Sequence, residues 1–477
     1  MPGPQVFVVA TGLCYDRAGR GHPDLAAGHG ASGGPYGGTV DARGLETLLA
    51  VALVAALAPV VVAILPGPRT PQVVVLIVAG VLIGPHVLHL ASPGTIVLLS
   101  DIGLGFLFLL AGYELDLQLF REQAGRMAMI AWAVSALLAV AAVAALTAIH
   151  FVYDFVPIGL ALTTTALGTL LPILHDHNML SGKFGRYVLA AGAVGELLPI
   201  VAISVFLTNR QQFVAIESLA AVIFAALLLT AAPRILGERQ LKALIRQGHK
   251  ATAQSTLRWA IVLLLLLLVA AQRFGLDVVL GAVLAGMVLR SWTRRIGVDV
   301  KPLEEKLDAV GYGFFIPLFF VATGMTLDIH AIVSDPVRLF AFVGLLLVVR
   351  GLPSLLIYVK VMPFRQRLEM TLITATTLPL LIALAAIGQQ DGVMLPANAA
   401  AMVGAGVVSV LIFPAAAVTL SRRARRRDIG EPVPDTASTA ENEMAGGDEV
   451  RHQRSGSTPR PAVANGTSAD LDGERCD

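Results

Sequence analysis

The chain alternates between long apolar runs and short polar connections. A helix needs about 20 apolar residues to cross the hydrocarbon core of a bilayer, and about thirteen runs approach that length. The pattern therefore predicts an all-α polytopic membrane protein. Its crossings, counted first to thirteenth in chain order, are predicted at 45–65, 71–90, 95–113, 127–149, 155–175, 187–208, 213–232, 257–272, 275–292, 310–327, 337–359, 370–389 and 395–420.

The two ends of the chain differ in composition from the apolar middle. Residues 1–44 are rich in Gly and lack the continuous apolar core of a signal peptide, so they are interpreted as a disordered extension or as the result of a start codon assigned too early. Residues 421–477 are polar and predict a disordered cytoplasmic tail. The tail has no Gly-rich phosphate-binding fingerprint, so no nucleotide-binding domain is predicted in this chain. The transmembrane domain is predicted at 45–420.

Positive charges concentrate in alternate loops and test the helix count. One side of the membrane receives most of them, including Arg121, Lys183, Arg239, Arg294, Arg365 and Arg422. The opposite loops hold only Arg210, Arg273 and Arg338. The positive-inside rule places the N-terminus outside and the C-terminus in the cytoplasm. Fusing the eighth and ninth runs would break the alternation, so they are predicted to be separate helices.

Two distant segments repeat the same pattern. Residues 107–116 and 318–328 both contain Leu-Phe, a short apolar step and then Gly-x-x-Leu-Asp. The helix before each carries an Ala-Gly pair, at Gly80 and Gly286, and a threonine cluster follows each in register. The copies lie seven helices apart, and an odd spacing reverses their direction through the membrane. The sequence therefore predicts an inverted repeat of six helices, which is typical of transporters.

Threonine and proline cluster in the fifth and twelfth helices. Residues 163–172 contain Thr163-Thr-Thr165 and Pro172, and residues 374–379 contain three threonines and Pro379. Proline removes a backbone donor, and threonine hydroxyls can satisfy the carbonyls that are released. We expect both helices to break near mid-membrane and to cross there, with Pro172 and Pro379 at the breaks. Ordinary proline kinks, with threonines bonded back to their own helix, are the alternative.

One acidic residue lies near the centre of an apolar run. Glu196 falls in the middle of the sixth helix, where a charged side chain costs roughly 2.5–3.5 kcal/mol. Arg350, in the eleventh helix, is the only other ionisable residue so placed. A carboxylate holds either a proton or a small cation, so Glu196 is predicted to carry both in turn. Arg350 is predicted to act as the counter-charge, because guanidinium does not lose its proton.

These assignments have alternatives and accessory residues. Glu196 could instead be a structural acid paired permanently with Arg350, and Arg350 could serve the carbonyls of a broken helix. The hydroxyls of Thr164, Thr165 and Thr376 are candidate cation ligands beside Glu196. Pro199, one turn after Glu196, is expected to loosen the local helix.

Composition limits the remaining function classes. Hydrophobic residues make up 56% of the chain and charged residues 14%, with a net charge of +2, so nothing global indicates nucleic acid. The two cysteines predict neither a disulfide framework nor a structural metal site. No metalloprotease motif and no nucleophile with an adjacent base is found, so the protein is predicted not to be an enzyme and to need no cofactor.

With these residues in hand, the chain resembles the monovalent cation:proton antiporter family, in its potassium-efflux and bacterial Na⁺/H⁺ exchanger branch. The resemblance covers about residues 45–420. It rests on the segments 80–85, 108–116, 163–174, 190–196 and 314–328.

The resemblance implies a homodimer in the cell membrane, with a panel domain and a mobile core. The core would contain the fourth to sixth and eleventh to thirteenth helices and would move like an elevator. The essential carboxylate would be Glu196 and the buried basic residue Arg350. The chain departs from the family where Glu196 replaces the usual Asp and Gly195 replaces a common Asp, Asn or Gln. The expected exchange is one cation, Na⁺ or K⁺, for one proton.

Two other functions fit the same scaffold. A cation-coupled symporter of an organic anion would need more basic or polar groups in its cavity than Arg350 alone. A membrane sensor would use the buried acid and base only to switch conformation, and would need an output domain. The antiporter is therefore the preferred interpretation.

Overall fold

The structure is a computed structural model that describes residues 42–64, 71–207, 212–235, 255–296 and 301–428. Within these ranges all regular structure is helical, so the predicted all-α class is confirmed. The predicted N-terminal extension lies almost wholly outside the described residues, as does most of the predicted tail. Both stay predictions.

Eighteen α-helices follow one another through the described ranges. The first half comprises α1 (Ala42–Ile64), α2 (Gln72–Ile83), α3 (Val97–Glu114), α4 (Gln123–Ala148), α5 (Phe155–Ala161), α6 (Leu167–Asp176), α7 (Gly182–Phe206), α8 (Gln212–Ile235) and α9 (Ser255–Arg273). The second comprises α10 (Val278–Ile296), α11 (Lys301–Val310), α12 (Ile316–Thr326), α13 (Ile329–Ser334), α14 (Pro336–Leu345), α15 (Leu352–Ile357), α16 (Phe364–Thr374), α17 (Pro379–Gln390) and α18 (Pro396–Asp428). Wide turns of π-helix join α11 to α12 and α14 to α15.

Ten helical stretches in the described part of the chain are long and apolar enough to cross a bilayer. The count of about thirteen crossings therefore stays a prediction. The predicted second crossing is only a 12-residue helix, because α2 ends at Ile83 and Gly84 is extended before Pro85. A residue before proline avoids the helical region. The eighth and ninth crossings are separate helices, α9 and α10, as predicted.

The proline predictions differ in outcome. The fifth helix is interrupted, but at 162–166, and Pro172 lies inside α6 instead of at the break. The twelfth is interrupted at 375–378, and Pro379 begins the helix that follows. Proline is well tolerated at a first helical position because the donor it lacks is unsatisfied there anyway. Pro199 lies within α7, which continues on both sides of it.

The chain divides into two compact units. The first contains the described parts of Met1–Leu115, Ile200–Leu339 and Ile382–Gly404. Large apolar side chains along its α1 are exposed, among them Leu49 at 69%, as expected of a surface that faces lipid.

Paired glycines bring the helices of the first unit into backbone contact. A Cβ atom on Gly80 of α2 would lie 2.2 Å from the Val321 carbonyl oxygen of α12, and one on Gly324 of α12 would lie 2.1 Å from that of Ile77. Gly112 of α3 and Gly286 of α10 form the same reciprocal contact. The earlier helix of the first repeat, α2, thus packs on α12, the later helix of the second repeat. In the same crossed manner, α3 packs on α10. This arrangement is the one expected of an inverted repeat.

The second unit contains Asp116–Pro199, Phe340–Leu381 and the described residues from Ala405 onward. It therefore holds the fourth and fifth predicted helices and much of the sixth and of the eleventh to thirteenth. These are the helices that the family resemblance implies for a mobile core. Its apolar centre includes Leu170 and Val194, with Tyr187 packed edge-on against Tyr358 at 5.6 Å between ring centroids. All the candidate site residues lie in this unit.

Candidate ion-binding site

The first interruption, between α5 and α6, exposes backbone groups to other partners. The hydroxyls of Thr163 and Thr164 donate to the carbonyls of Leu160 and Ala161, both at 2.7 Å. Beyond them the chain turns to neighbouring elements: the amide of Thr165 donates to the Gly195 carbonyl at 2.9 Å. Threonine hydroxyls thus satisfy carbonyls at the end of α5, as the sequence predicted.

The second interruption, between α16 and α17, is supported by α18. The Thr377 amide donates to the Ser409 hydroxyl at 3.1 Å, and that hydroxyl donates to the Thr377 carbonyl at 2.8 Å. The Thr374 hydroxyl donates to the Met370 carbonyl at 2.9 Å, within its own helix. The Ser409 hydroxyl therefore pairs both the amide and the carbonyl of Thr377, which the break frees.

The two interruptions meet directly. The hydroxyl oxygens of Thr164 and Thr377 lie 2.7 Å apart, and the Thr165 hydroxyl donates to the Thr374 carbonyl at 2.6 Å. The amide of Ala166 donates to the Thr376 carbonyl at 3.0 Å. Thr164, Thr165, Thr376 and Thr377 are each no more than 1% exposed. The result is a buried meeting point rich in hydroxyl and carbonyl oxygens, which are the ligands preferred by hard cations.

Glu196 lies on α7, the helix to which the first interruption is bonded. Its side chain is 5% exposed, although it is a carboxylate. The preceding residue, Gly195, accepts the hydrogen bond from Thr165 described above. The predicted carrier is therefore buried and attached, through its neighbour, to the threonine-rich meeting point.

Arg350 lies in the π-helical turn Leu346–Gly351 and is 1% exposed. Its Nε donates to the Thr165 hydroxyl at 2.8 Å, and its two terminal nitrogens donate to the Ala191 carbonyl at 3.2 Å and the Ser135 hydroxyl at 3.5 Å. These partners are neutral oxygens. Arg350 thus bonds the Ala191 carbonyl of α7 and the Thr165 hydroxyl of the first interruption. Its charge lies within the same buried cluster as Glu196.

The structure brings together Glu196, Arg350, Thr164, Thr165 and Thr376 in one unit. Sequence reasoning missed three buried serines that contact these elements, namely Ser135, Ser354 and Ser409. Single serines are common in membrane helices, so Ser135, Ser354 and Ser409 gave no signal of their own.

Comparison with known proteins gives an independent indication of function. The profile of the family described as sodium/hydrogen exchanger, transmembrane, matches residues 49–421. The putative Na⁺/H⁺ antiporter YjbQ of Bacillus subtilis is 27% identical over 365 residues, which cover 72% of this chain. The glutathione-regulated potassium-efflux system protein KefC of Enterobacter sp. strain 638 is 26% identical over 370 residues, also 72% of this chain. The chain spans 58% of the length of the first relative and 56% of the second.

Solved structures show the same fold. The sodium proton antiporter MjNhaP1 of Methanocaldococcus jannaschii at pH 8 matches with a TM-score of 0.58 and 17% sequence identity. The match covers 80% of this chain and 96% of that chain. The fold class predicted from the apolar pattern and the inverted repeat is confirmed.

Proposed function

Because the chain belongs to the transmembrane sodium/hydrogen exchanger family, we propose that it exchanges a monovalent cation, Na⁺ or K⁺, for protons by competition of the two for Glu196. The observation that carries the proposal is the burial of Glu196 on a helix bonded to the meeting point of two interrupted helices. An ionisable residue inside a membrane protein is costly, and such residues commonly mark ion pathways. A single carboxylate that holds either ion, but not both, couples their movements.

The surrounding oxygens suit the cation. Thr164, Thr165 and Thr376 bring hydroxyl and carbonyl oxygens to the meeting point. Each hydroxyl donates its hydrogen to a carbonyl oxygen, of Ala161, Thr374 and Leu372 respectively, and keeps its oxygen lone pairs for accepting. Small movements of the unwound segments would redirect these oxygens to a cation beside Glu196. Interrupted helices at the membrane midplane serve this purpose in other transporters with inverted repeats.

The charges favour a one-for-one exchange. Ionised Glu196 and Arg350 sum to zero, and either a bound proton or a bound monovalent cation raises the sum to +1. The two loaded states therefore carry equal charge across the membrane, and one complete cycle moves no net charge. We expect an electroneutral exchange in which Arg350 neutralises the empty site.

The protein is a multi-pass membrane protein. The proposal includes its orientation in the membrane, its mobile part and its oligomeric state. Residues 45–420 form the exchanger domain, with the N-terminus outside and the C-terminus in the cytoplasm. The second unit acts as the mobile core, and two copies assemble as a homodimer in the cell membrane. The charge pattern of the loops and the family resemblance support this arrangement.

Reconstitution into liposomes that enclose a pH-sensitive dye tests the exchange. Addition of Na⁺, K⁺ or Li⁺ outside should move protons, and the most effective ion identifies the substrate. Glu196→Gln should reduce the signal to that of protein-free liposomes, whereas Glu196→Asp should keep part of it. Glu217→Gln makes the same chemical change at an exposed position of α8 and serves as the matched control. Strong cation-driven proton flux in Glu196→Gln would reject Glu196 as the carrier.

An imposed membrane potential tests the stoichiometry separately. With the potential set by an ionophore, neither the rate nor the end point of exchange should change. A potential-dependent end point would contradict the one-for-one ratio without contradicting exchange itself.

A further inference from the structure

The space beside Gly195 is already filled. A Cβ atom at this position would lie 2.3 Å from the Nη2 atom of Arg350, 2.7 Å from the Thr165 hydroxyl oxygen and 2.8 Å from the Thr165 Cβ. Distances this short do not occur between real atoms of these kinds. The guanidinium group therefore occupies the volume that any side chain at position 195 would need.

The guanidinium group has no easy way to move aside. It is 1% exposed, and its three nitrogen atoms donate to the hydroxyls of Thr165 and Ser135 and to the carbonyl of Ala191. Thr165 is itself held, since its amide donates to the Gly195 carbonyl and its hydroxyl to the Thr374 carbonyl. A methyl group at position 195 must then displace the guanidinium group or separate α7 from the interruption.

The contact places a permanent positive charge next to the carrier. Gly195 directly precedes Glu196, so the Nη2 atom that lies against Gly195 is within a few ångströms of the backbone that bears the carboxylate. In a buried site with a low effective dielectric constant, charges interact strongly even across several ångströms. A transported cation bound at Glu196 is repelled by this charge, and both are attracted to the same carboxylate.

We propose that Gly195 is the positioning residue that admits the Arg350 guanidinium group to the flank of α7, where its charge competes with the transported cation and sets the apparent cation affinity. The proposal rests on the exchange function proposed above. It explains why this chain has glycine where a side chain would provide a further ligand: Arg350 fills that place with a tethered cation.

A double-mutant cycle between Gly195 and Arg350 tests the proposal. The four proteins are the wild type, Gly195→Ala, Arg350→Met and the double variant, each measured for the KM of the cation and the maximal exchange rate. Gly195→Ala should lower the apparent KM at least about threefold, because the repelling charge is moved away from Glu196. Arg350→Met should lower it as well, and Gly195→Ala should then add no further change.

The sign of the KM change separates positioning from packing. A simple packing defect would raise the KM, or would lower the maximal rate and leave the KM unchanged. Gly159→Ala is the control, because a Cβ atom on Gly159 of α5 has no atom within 4 Å. The proposal is overturned if Gly195→Ala raises the KM, leaves it unchanged, or lowers it by the same factor in the Arg350→Met background.

A binding measurement keeps the test independent of transport. Cation-dependent melting of the detergent-purified proteins reports affinity through the stabilisation by a bound ion. If Arg350→Met does not fold, Arg350→Gln replaces it, because glutamine keeps hydrogen-bond donors but carries no charge. If the wild type shows no exchange but the melting measurements still show that the effects of Gly195→Ala and Arg350→Met on cation affinity depend on each other, only the proposed exchange function is rejected. If the wild type exchanges ions but the two substitutions change cation affinity independently, only the role of Gly195 is rejected.

Discussion

The hydroxyl oxygens of Thr164 and Thr377 lie 2.7 Å apart and join the two interrupted helices. Thr164 comes from the first interruption and Thr377 from the second, 213 residues later. Both side chains are fully buried, so water cannot replace the bond between them. The relative position of the two unwound segments, and hence of the oxygens offered to a cation, depends on this contact.

Thr164→Val should weaken both stability and exchange. Valine has nearly the shape of threonine but no hydroxyl, so the Thr377 hydroxyl is left in a buried site without this partner, at a cost of about 1–3 kcal/mol. We expect a lower melting temperature of the purified protein and an exchange rate reduced at least about tenfold. Thr164→Ser keeps the hydroxyl and should retain most of the exchange. Equal exchange rates for the valine and serine variants would contradict the role of the bond.

The sequence was sufficient to predict both interruptions, because threonine and proline in the middle of an apolar run have few other uses. It also singled out Glu196 and Arg350, since a charge in such a run is conspicuous. Both are buried in the same unit, and their roles in transport stay predictions. The inverted repeat was visible in Gly80 and Gly286 and in their partners. These signals are local, so a single segment reveals each of them.

Other features depend on contacts between distant segments. Pro172 seemed to mark the first break, but the break lies where Thr165 and Ala166 find acceptors on α7 and on the second interruption. Nothing near Ser409 in the sequence indicates that its hydroxyl bonds the backbone of Thr377. The close contact between Gly195 and Arg350 likewise exists only after α7 and the π-helical turn are packed together.

Ser409→Ala should destabilise the second interruption. The Ser409 hydroxyl accepts from the Thr377 amide and donates to the Thr377 carbonyl, and the substitution removes both contacts from a fully buried place. We expect a loss of about 1–3 kcal/mol in the free energy of unfolding, measured by denaturant titration in detergent. Thr419→Val is the control on the same helix, because that exposed hydroxyl bonds only the Ala415 carbonyl of its own helix. The control should change stability by less than about 0.5 kcal/mol.

Gly80→Ala should disturb the helix contact of the first unit. The new methyl group would lie 2.2 Å from the Val321 carbonyl oxygen, and a backbone atom cannot turn away as a side chain can. Overpacking of this kind typically costs 1–3 kcal/mol or more. The yield of folded protein and its melting temperature should both fall. Gly313→Ala, where a Cβ atom meets nothing within 4 Å, should leave both unchanged, and similar losses in the two variants would refute the contact.

Asp277 makes stability depend on pH. It lies in the connection before α10, and its carboxylate accepts from the Val279 amide at 2.7 Å. Burial raises the pKa of Asp277 to about 6; the hydrogen bond from Val279 opposes this rise, and the nearby charge of Asp391 adds to it. Between about pH 4 and 6 the folded protein therefore holds a proton that the unfolded chain has lost, so folding stability falls as the pH rises through this range.

Asp277→Asn should abolish this pH dependence. Asparagine can still accept from the Val279 amide and cannot ionise, so the variant should match the wild type at pH 4. At pH 7 it should be more stable by about 1–3 kcal/mol, because the wild type then carries a buried charge. Unfolding of the detergent-purified proteins at both pH values measures the difference. Asp277→Ala removes the charge and the acceptor together, so it should be less stable than Asp277→Asn by a similar amount at both pH values. A stability difference between Asp277→Asn and the wild type that is the same at pH 4 and pH 7 would show that ionisation of Asp277 has no part in it.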